Sequence, residues 1–261
     1  MIESDASDCE NDSDSNINVD GPEAPQPHQQ QDGPEPSKKK QKQGMVEVIP
    51  SRKASPDLFV RTIPHKRGRW SGHVFCPFPN VDDDAIVQSS ITKFQNRLER
   101  AGFSGVMVQH EELHFSLSRH LSFQIGSIES FMKQLATRVS AERSTRLLVD
   151  TTGVLLVNDE KTRSFYGWRV CPNITIHRIL RHVNEVLKSY NQPPYYDPPI
   201  FHISLASVAG DISKLWQESE DIRKDDNEEE DQYGTTFTSV QKICCTFGTT
   251  KKYTIDLLPS A

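Results

Sequence analysis

Two tetrapeptides of the same pattern constrain the fold of this chain more than any other feature. Residues 114–117 and 202–205 both read histidine, apolar residue, serine, leucine, and each lies in a run that alternates polar and apolar residues. Alternation with period two predicts a half-buried strand, in which successive side chains face opposite sides. Each strand therefore presents a histidine and a serine on one face and turns its apolar residues into a core.

The polar residues of the two motifs predict a catalytic phosphate site. If the strands lie side by side or across a cleft, His114, Ser116, His202 and Ser204 converge on one spot. Two imidazoles supply an acid and a base, because the unperturbed pKa of histidine is about 6.5. Two hydroxyls can donate hydrogen bonds to nonbridging phosphate oxygens, where charge develops in the transition state. The alternative is that both histidines are ordinary half-buried strand residues.

A different signature overlaps the first motif. Residues 110–114 spell His-Glu-Glu-Leu-His, the pattern H-E-x-x-H of zinc hydrolases. That pattern needs a helix to bring both histidines to one face, whereas residues 112–118 alternate with period two. We therefore interpret the match as chance, and we expect no metal and no cofactor.

Charge is distributed unevenly along the chain. Residues 1–50 hold 11 acidic and 4 basic residues, and residues 217–232 hold 9 acidic and 2 basic residues. The remainder holds 24 basic and 16 acidic residues, a net charge of +8. A basic body suits a polyanionic partner such as nucleic acid, although net charge can also serve solubility alone.

Composition divides the chain into three parts. Residues 1–50 are predicted to be a disordered acidic tail, whose basic cluster at 38–42 reads either as a nuclear localisation signal or as a solvated linker. Residues 51–69 form a basic lead-in, and residues 70–261 form one catalytic domain with an acidic surface insertion or loop at about 217–232. We expect no secretory signal, and no apolar run is long enough to cross a membrane.

Periodicity within the domain predicts an α+β fold. Helices are predicted at 85–101, 127–141 and 174–190, with a short helix near 211–217. Strands are predicted at 70–78, 106–108, 112–118, 147–149, 154–157, 164–170, 199–205, 236–247 and 252–257. The strands 147–149 and 154–157 form a predicted hairpin around residues 151–153. The order strand, helix, strand, motif strand is predicted twice, which suggests two related halves.

Two further side chains could contact a substrate. Tyr196 precedes the second motif in a Pro- and Tyr-rich loop, where its ring could stack on a base or simply pack under the loop. Asn158 lies in a predicted turn, where it could hydrogen-bond a base edge or serve only as a turn former.

Three segments resemble a known family. Residues 112–118 (ELHFSLS), 158–165 (NDEKTRSF) and 195–205 (YYDPPIFHISL) resemble the 2H phosphoesterase superfamily, which is named for two His-x-Ser/Thr motifs. Within that superfamily they are similar to the enzymes that trim the 3′ end of U6 small nuclear RNA. The resemblance covers about residues 70–257.

The resemblance carries expectations about fold, activity and site. It implies two pseudo-symmetric lobes of antiparallel sheet with outer helices around a central groove. It also implies a nuclear, metal-independent 3′→5′ RNA exonuclease that acts on U6 RNA and its oligouridylate tail, leaving a cyclic phosphate or a phosphate end. We expect a monomer without a membrane partner. The implied site consists of His202 as base, His114 as acid, and Ser116, Ser204, Tyr196, Asn158 and Ile200 as substrate-binding residues.

Two other functions stay open at this point. One is a different 2H activity, such as a cyclic phosphodiesterase acting on other RNA ends or on small cyclic nucleotides. The other is a non-catalytic RNA-binding module that uses the same basic surface. A binding module would tolerate the loss of either histidine, whereas the enzyme would not.

Overall fold

Strands dominate the part of the chain that the structure describes. The computed structural model describes residues 46–54, 67–78, 85–225 and 234–260, all within the compact unit Lys42–Ala261. In chain order its main elements are β1 (Glu47–Pro50), β2 (Arg69–Pro77), α1 (Ala85–Arg100), β3 (Val106–Gln109), β4 (His114–Ser116), β5 (Leu121–Gln124), α2 (Ile128–Val139), β6 (Thr145–Val157), β7 (Arg163–Cys171), α3 (Ile174–Ser189), β8 (His202–Ala209), α4 (Ser213–Asp225), β9 (Thr235–Val240), β10 (Lys242–Phe247) and β11 (Lys251–Asp256).

One sheet contains all of these strands. Its main path runs β11-β10-β2-β4-β8-β7-β6-β9, while β5 pairs with β2, and β3 joins both β1 and β8. The pairing of β1 with β3 is parallel, and the other pairings are antiparallel. The predicted α+β class with an antiparallel sheet is therefore confirmed. The motif strands β4 and β8 lie side by side at its centre.

A row of core side chains crosses the four central strands. Cys76 on β2, Phe115 on β4, Ile203 on β8 and Trp168 on β7 are successive register partners. Each is at most 1% exposed. Because side chains alternate along a strand, the neighbouring residues on these strands face the opposite side of the sheet.

Helices cover the core side of the sheet. The Phe94 ring of α1 stacks on Tyr166 of β7 with 4.4 Å between centroids, and Phe131 of α2 lies 4.6 Å from Phe123 of β5. Helix α1 also packs on α4, and α2 packs on α3. The three long helices begin and end within two residues of their predicted bounds. None of the helices in the described ranges is long and apolar enough to span a membrane.

The predicted hairpin at 147–157 is wrong. Residues 145–157 form the single strand β6, which pairs with β7 on both sides of an irregularity between Asp150 and Val154. At this bulge the Asp150 carboxylate accepts hydrogen bonds from the backbone N–H and the hydroxyl of Thr152. Gly153 adopts a positive φ of 83°. A polar residue followed by glycine is found in bulges as well as in turns. Because β6 pairs with β7 on both sides of residues 151–153, the segment is a bulge.

The predicted strand 236–247 is two strands. β9 ends at Val240 and pairs with β6, whereas β10 begins at Lys242 and pairs with β2 and β11. Within about two residues the chain therefore passes between strands that stand near opposite ends of the pairing order. The sequence has no glycine or proline at this point to mark the break.

Two predicted boundaries also change. Residues 47–50 form β1, so the tail predicted for 1–50 includes a strand at its end, anchored by the buried Val46. Helix α4 extends to Asp225, through much of the acidic stretch predicted as an insertion or loop. Glu, Lys and Arg are good helix formers, and Leu215 and Trp216 pack against the core. The basic cluster at 38–42 lies outside the described residues.

The two halves are less alike than predicted. The first motif strand follows β2, α1 and β3. The second follows β7, α3 and a loop at 190–201, without a strand between the helix and the motif. Strand β5 was not predicted, although its sequence Leu-Ser-Phe-Gln alternates apolar and polar residues as a short half-buried strand does.

Candidate active site

The structure brings the four motif residues together at the centre of the sheet. β4 and β8 pair through their apolar motif residues, and the same antiparallel register places His114 across from Ser204 and Ser116 across from His202. All four side chains are partly exposed, on the side opposite the core. We call this surface, which carries His114, Ser116, His202 and Ser204, the motif face.

Both motif histidines are held in the same way. His114 Nδ1 lies 2.9 Å from the carbonyl oxygen of Glu112, and His202 Nδ1 lies 3.1 Å from that of Ile200. A carbonyl only accepts hydrogen bonds, so Nδ1 carries the proton in each ring. The other nitrogen, Nε2, is therefore left to exchange a proton with a substrate. The repeated bond to residue i−2 preserves the symmetry of the two motifs at the level of atoms.

Burial controls the protonation of these two rings. Burial lowers the pKa of His114, while the carbonyl and charge of Glu112 partly oppose that effect. Burial also lowers the pKa of His202; the carbonyl of Ile200 raises it, and the nearby charge of His114 lowers it further. Protonating one ring thus disfavours protonating the other, which suits a site that needs one acid and one base.

A third histidine on the motif face was missed by the sequence analysis. His73 of β2 lies with Nε2 2.9 Å from Ser116 Oγ, and its ring contacts those of Phe75 and His114 at 5.2 and 5.1 Å. Burial and the charges of His114 and His120 lower the pKa of His73 to about 3. The predicted strand 70–78 contained the signal, since period two puts its histidine on the face opposite Val74.

A fourth histidine lies beside the motif face. His110 follows β3, and its ring stacks on Phe165 of β7 at 6.3 Å with an interplanar angle of 21°. Burial, followed by the charges of His114 and Arg163, lowers the pKa of His110 to about 4. Residues 110–113 form a loop that leads into β4. The H-E-x-x-H pattern is therefore not on a helix, as the alternation predicted.

Tyr196 belongs to a cluster from three separate segments. The guanidinium of Arg119, which follows the first motif, lies 4.0 Å from the centre of the Tyr196 ring. The Tyr196 hydroxyl donates to Asp159 in the β6–β7 turn at 3.2 Å, and Arg119 lies 3.9 Å from the same carboxylate. The Tyr196 side chain remains 37% exposed. No local sequence pattern marks Arg119 or Asp159 as a site residue.

Asn158 is used within its turn. Its Oδ1 accepts hydrogen bonds from the backbone N–H groups of Thr162 and Arg163, both at 2.9 Å, and its amide donates to Glu160 and Thr162. These bonds correspond to the turn-forming role that the sequence left open, and a contact with a base stays a prediction.

Ile200 contributes its carbonyl oxygen. That oxygen accepts from Tyr195 Oη at 3.0 Å as well as from the ring of His202, while the Ile200 side chain is 48% exposed. Its structural contribution is thus to orient a histidine through the backbone. A contact of its side chain with substrate also stays a prediction.

The chain matches a protein family over most of its length. Residues 52–254 match the HVSL family, which is described as an uncharacterised conserved protein. U6 snRNA phosphodiesterase 1 of Rattus norvegicus is 30% identical over 155 residues, which are 58% of this chain and 55% of the rat protein. The chain thus spans about half the length of the mammalian relatives that it matches. The Xenopus laevis protein of the same name is 26% identical over 205 residues, covering 76% of this chain and 78% of the frog protein.

Solved structures share the fold at low sequence identity. The structure of Kluyveromyces marxianus Usb1 aligns with a TM-score of 0.52 and 14% identity, covering 72% of this chain and 98% of the yeast chain. A second structure of that yeast protein, with uridine monophosphate, gives a TM-score of 0.51. Because its residues 52–254 match the family model, the chain belongs to the HVSL family.

Proposed function

We propose that this chain is a phosphodiesterase that trims the 3′ end of U6 small nuclear RNA by two-histidine acid–base catalysis. The pairing of β4 with β8 carries this proposal, because it sets two anchored imidazoles and two hydroxyls on one surface. The name of the rat relative supports U6 RNA as the substrate, and the uridine monophosphate bound by yeast Usb1 supports a uridine at the 3′ end.

The RNA supplies its own nucleophile in this reaction. We assign neutral His202 as the base that takes the proton of the 2′-hydroxyl at Nε2, and the O2′–P bond then forms. The P–O5′ bond breaks, and His114 gives its Nε2 proton to the leaving O5′. The shortened RNA ends in a 2′,3′-cyclic phosphate, while the terminal residue leaves with a 5′-hydroxyl. Water attack on the cyclic phosphate reverses the two roles and yields a phosphate end.

The remaining site residues bind substrate in this proposal. Ser116 and Ser204 donate hydrogen bonds to the nonbridging oxygens as charge grows on them. Tyr196 stacks on the terminal base, a contact worth about 1–3 kcal/mol. Asn158 and the Ile200 side chain contact the same base. The basic body attracts the RNA backbone.

The same proposal includes the setting of the enzyme. It acts as a monomer. It needs no metal ion, because the two histidines complete the proton transfers and the first step uses no activated water. Its place of action is the nucleus, which follows from a small nuclear RNA as substrate.

One assay tests the reaction directly. The full chain is incubated, with chelator present, with an oligouridylate RNA ending in a 3′-hydroxyl, and the products are separated at single-nucleotide resolution. A ladder descending from the 3′ end is expected. His114→Ala and His202→Ala should each slow it about 10²- to 10⁴-fold, since each removes a proton-transfer group. His177→Ala, at an exposed position on α3, is the matched control and should cleave normally.

Each alternative gives a different result in this assay. Intact RNA alongside hydrolysis of small 2′,3′-cyclic nucleotides would favour the other 2H activity. RNA that is bound equally by the wild type and both alanine variants, and never cleaved, would favour the binding module. Cleavage that appears only after a divalent metal ion is added would contradict the metal-free mechanism.

A further inference from the structure

The two motif serines have different surroundings although their motifs match. Ser116 Oγ lies 2.9 Å from His73 Nε2 on the neighbouring strand β2. The position across from Ser204 on the other neighbour, β7, is Gly167, which has no side chain. One serine of the pair therefore has an imidazole partner from the adjacent strand, and the other does not.

The direction of the His73–Ser116 hydrogen bond decides what Ser116 can do. A serine hydroxyl has one hydrogen to donate. If Ser116 donated that hydrogen to His73, only oxygen lone pairs would remain for an anionic phosphate, which they repel. If His73 Nε2–H donates to Ser116 Oγ instead, the serine hydrogen stays available for a nonbridging oxygen.

We propose that His73 is a positioning residue, a neutral Nε2–H donor that holds Ser116 Oγ in place and leaves its hydrogen to the phosphate. The inference rests on the proposed phosphodiesterase function and extends it to a residue outside both motifs. His73 acts through Ser116 and takes no part in proton transfer.

Two features of the surroundings support a neutral donor. The His73 ring stacks on Phe75 at an interplanar angle of 19° and meets His114 edge-on at 67°, so its orientation is restricted by both neighbours. His114 and His120 also add positive charge when protonated, and together with burial they keep the pKa of His73 near 3. A neutral ring holds one N–H, and the proposal places it on Nε2, 2.9 Å from Ser116 Oγ.

The lowered pKa of His73 also disfavours a nucleophilic role for Ser116. A serine 2.9 Å from a histidine is also the arrangement of a nucleophile with its general base. A histidine with a pKa of about 3 is a weak base at neutral pH, so it does not activate Ser116. His73 serves the hydroxyl as a donor, and the 2′-hydroxyl of RNA remains the nucleophile.

A double-mutant cycle tests the inference on RNA cleavage. His73→Phe keeps the ring packing but removes the donor, and we expect kcat to fall about 10-fold with KM nearly unchanged. His73→Gln, whose amide nitrogen can replace Nε2, should restore kcat to within about threefold of wild type. In a Ser116→Ala background, His73→Phe should change kcat less than about twofold, because the hydroxyl it positions is gone.

The matched background is Ser204→Ala, in which His73→Phe should keep its full effect. An equal loss in all three backgrounds, or no rescue by glutamine in variants that melt like wild type, would overturn the inference and leave His73 as a packing residue.

A second measurement does not depend on RNA cleavage. Nitrogen-15 NMR of the histidine-labelled full chain distinguishes the two neutral tautomers at pH 7, and His73→Gln assigns its signals. We expect the Nε2–H tautomer, and the Nδ1–H tautomer would contradict the proposal. If the wild type fails to cleave RNA yet shows the Nε2–H tautomer, the proposed substrate is wrong while the His73–Ser116 donor geometry stands.

Discussion

A backbone carbonyl two residues before each motif histidine selects the nitrogen that faces the substrate. Glu112 and Ile200 supply these carbonyls, although their side chains differ in charge and shape. The bond is therefore available to any residue at these positions, which explains how Glu112 and Ile200 orient the two rings in the same way. It also opposes the effect of burial on each ring, since a hydrogen bond from Nδ1 stabilises the protonated form.

The pH dependence of cleavage follows from these opposing effects. In the proposed mechanism the active form has one neutral and one protonated motif histidine, and burial lowers the pKa of both below the ordinary 6.5. The optimum of kcat/KM, which reports the free enzyme, should thus lie below pH 6.5, and activity should fall as the pH rises further. A bound phosphate raises both pKa values, so the optimum of kcat should lie at higher pH. Steady-state kinetics between pH 4.5 and 9 would show both limbs, and a kcat/KM that rises to pH 8 would contradict the assignment.

At the scale of elements, the contact between β7 and β8 has no room for a side chain. A Cβ on Gly167 would overlap the carbonyl oxygen of Ile203 and approach the Cα of Ser204. The register of the two strands shifts at this point, between Tyr166 and Gly167, so the backbones approach closely beside the second motif. The glycine thus positions the second serine by allowing its strand to sit close to β7.

Gly167→Ala should therefore damage both stability and activity. Overpacking of this kind costs about 1–3 kcal/mol, so we expect the free energy of unfolding in urea to fall by about that amount. The kcat should fall as well, because β8 must move at Ser204 to relieve the overlap. Gly126→Ala, where a Cβ would meet open space, is the matched control and should leave both quantities unchanged. A Gly167→Ala variant as stable and active as wild type would show that β7 and β8 can separate without affecting the motif.

Helices and strands could be predicted where one face packs against the core, because that contact sets the spacing of the apolar residues. Helices α1, α2 and α3 and both motif strands follow from such periods, because each has one apolar face against the core. Strand β6 was predicted as a hairpin, because Thr152 and Gly153 fit a bulge and a turn equally well. Only the pairing with β7 shows that the segment is a bulge. The break between β9 and β10 depends on partners from distant parts of the chain, which local sequence does not encode.

At the scale of the whole molecule, site residues that belong to a local sequence pattern could be predicted, and site residues that the tertiary fold brings in could not. His114 and His202 could be found because each repeats a local pattern. His73 and Arg119 could not be assigned to the site, because His73 meets Ser116 only through the pairing of β2 with β4, and Arg119 meets Tyr196 only through contact between two loops. Four histidines consequently lie on or beside the motif face, two of them in positions where burial strongly disfavours a positive charge.

We expect this concentration of neutral histidines to make the fold sensitive to acid. Burial lowers the pKa of His73 to about 3 and of His110 to about 4, whereas both are near 6.5 in the unfolded chain. Between those values the unfolded state binds more protons than the folded state, so stability is complete above pH 6.5 and is lost as the pH falls. Each of the two histidines contributes up to about 1.4 kcal/mol per pH unit within that window.

Removing one of these rings should flatten the dependence. His110→Phe keeps an aromatic ring against Phe165 and removes a titrating group, so its free energy of unfolding should fall less steeply than that of wild type between pH 7 and 5.5. Urea denaturation at a series of pH values measures that slope directly, in a range where carboxylates of ordinary pKa stay ionised. His177→Phe supplies the matched change at an exposed position. Equal slopes in wild type and His110→Phe would mean that His110 has the same pKa in the folded and unfolded states. The acid sensitivity would then have to come from other groups.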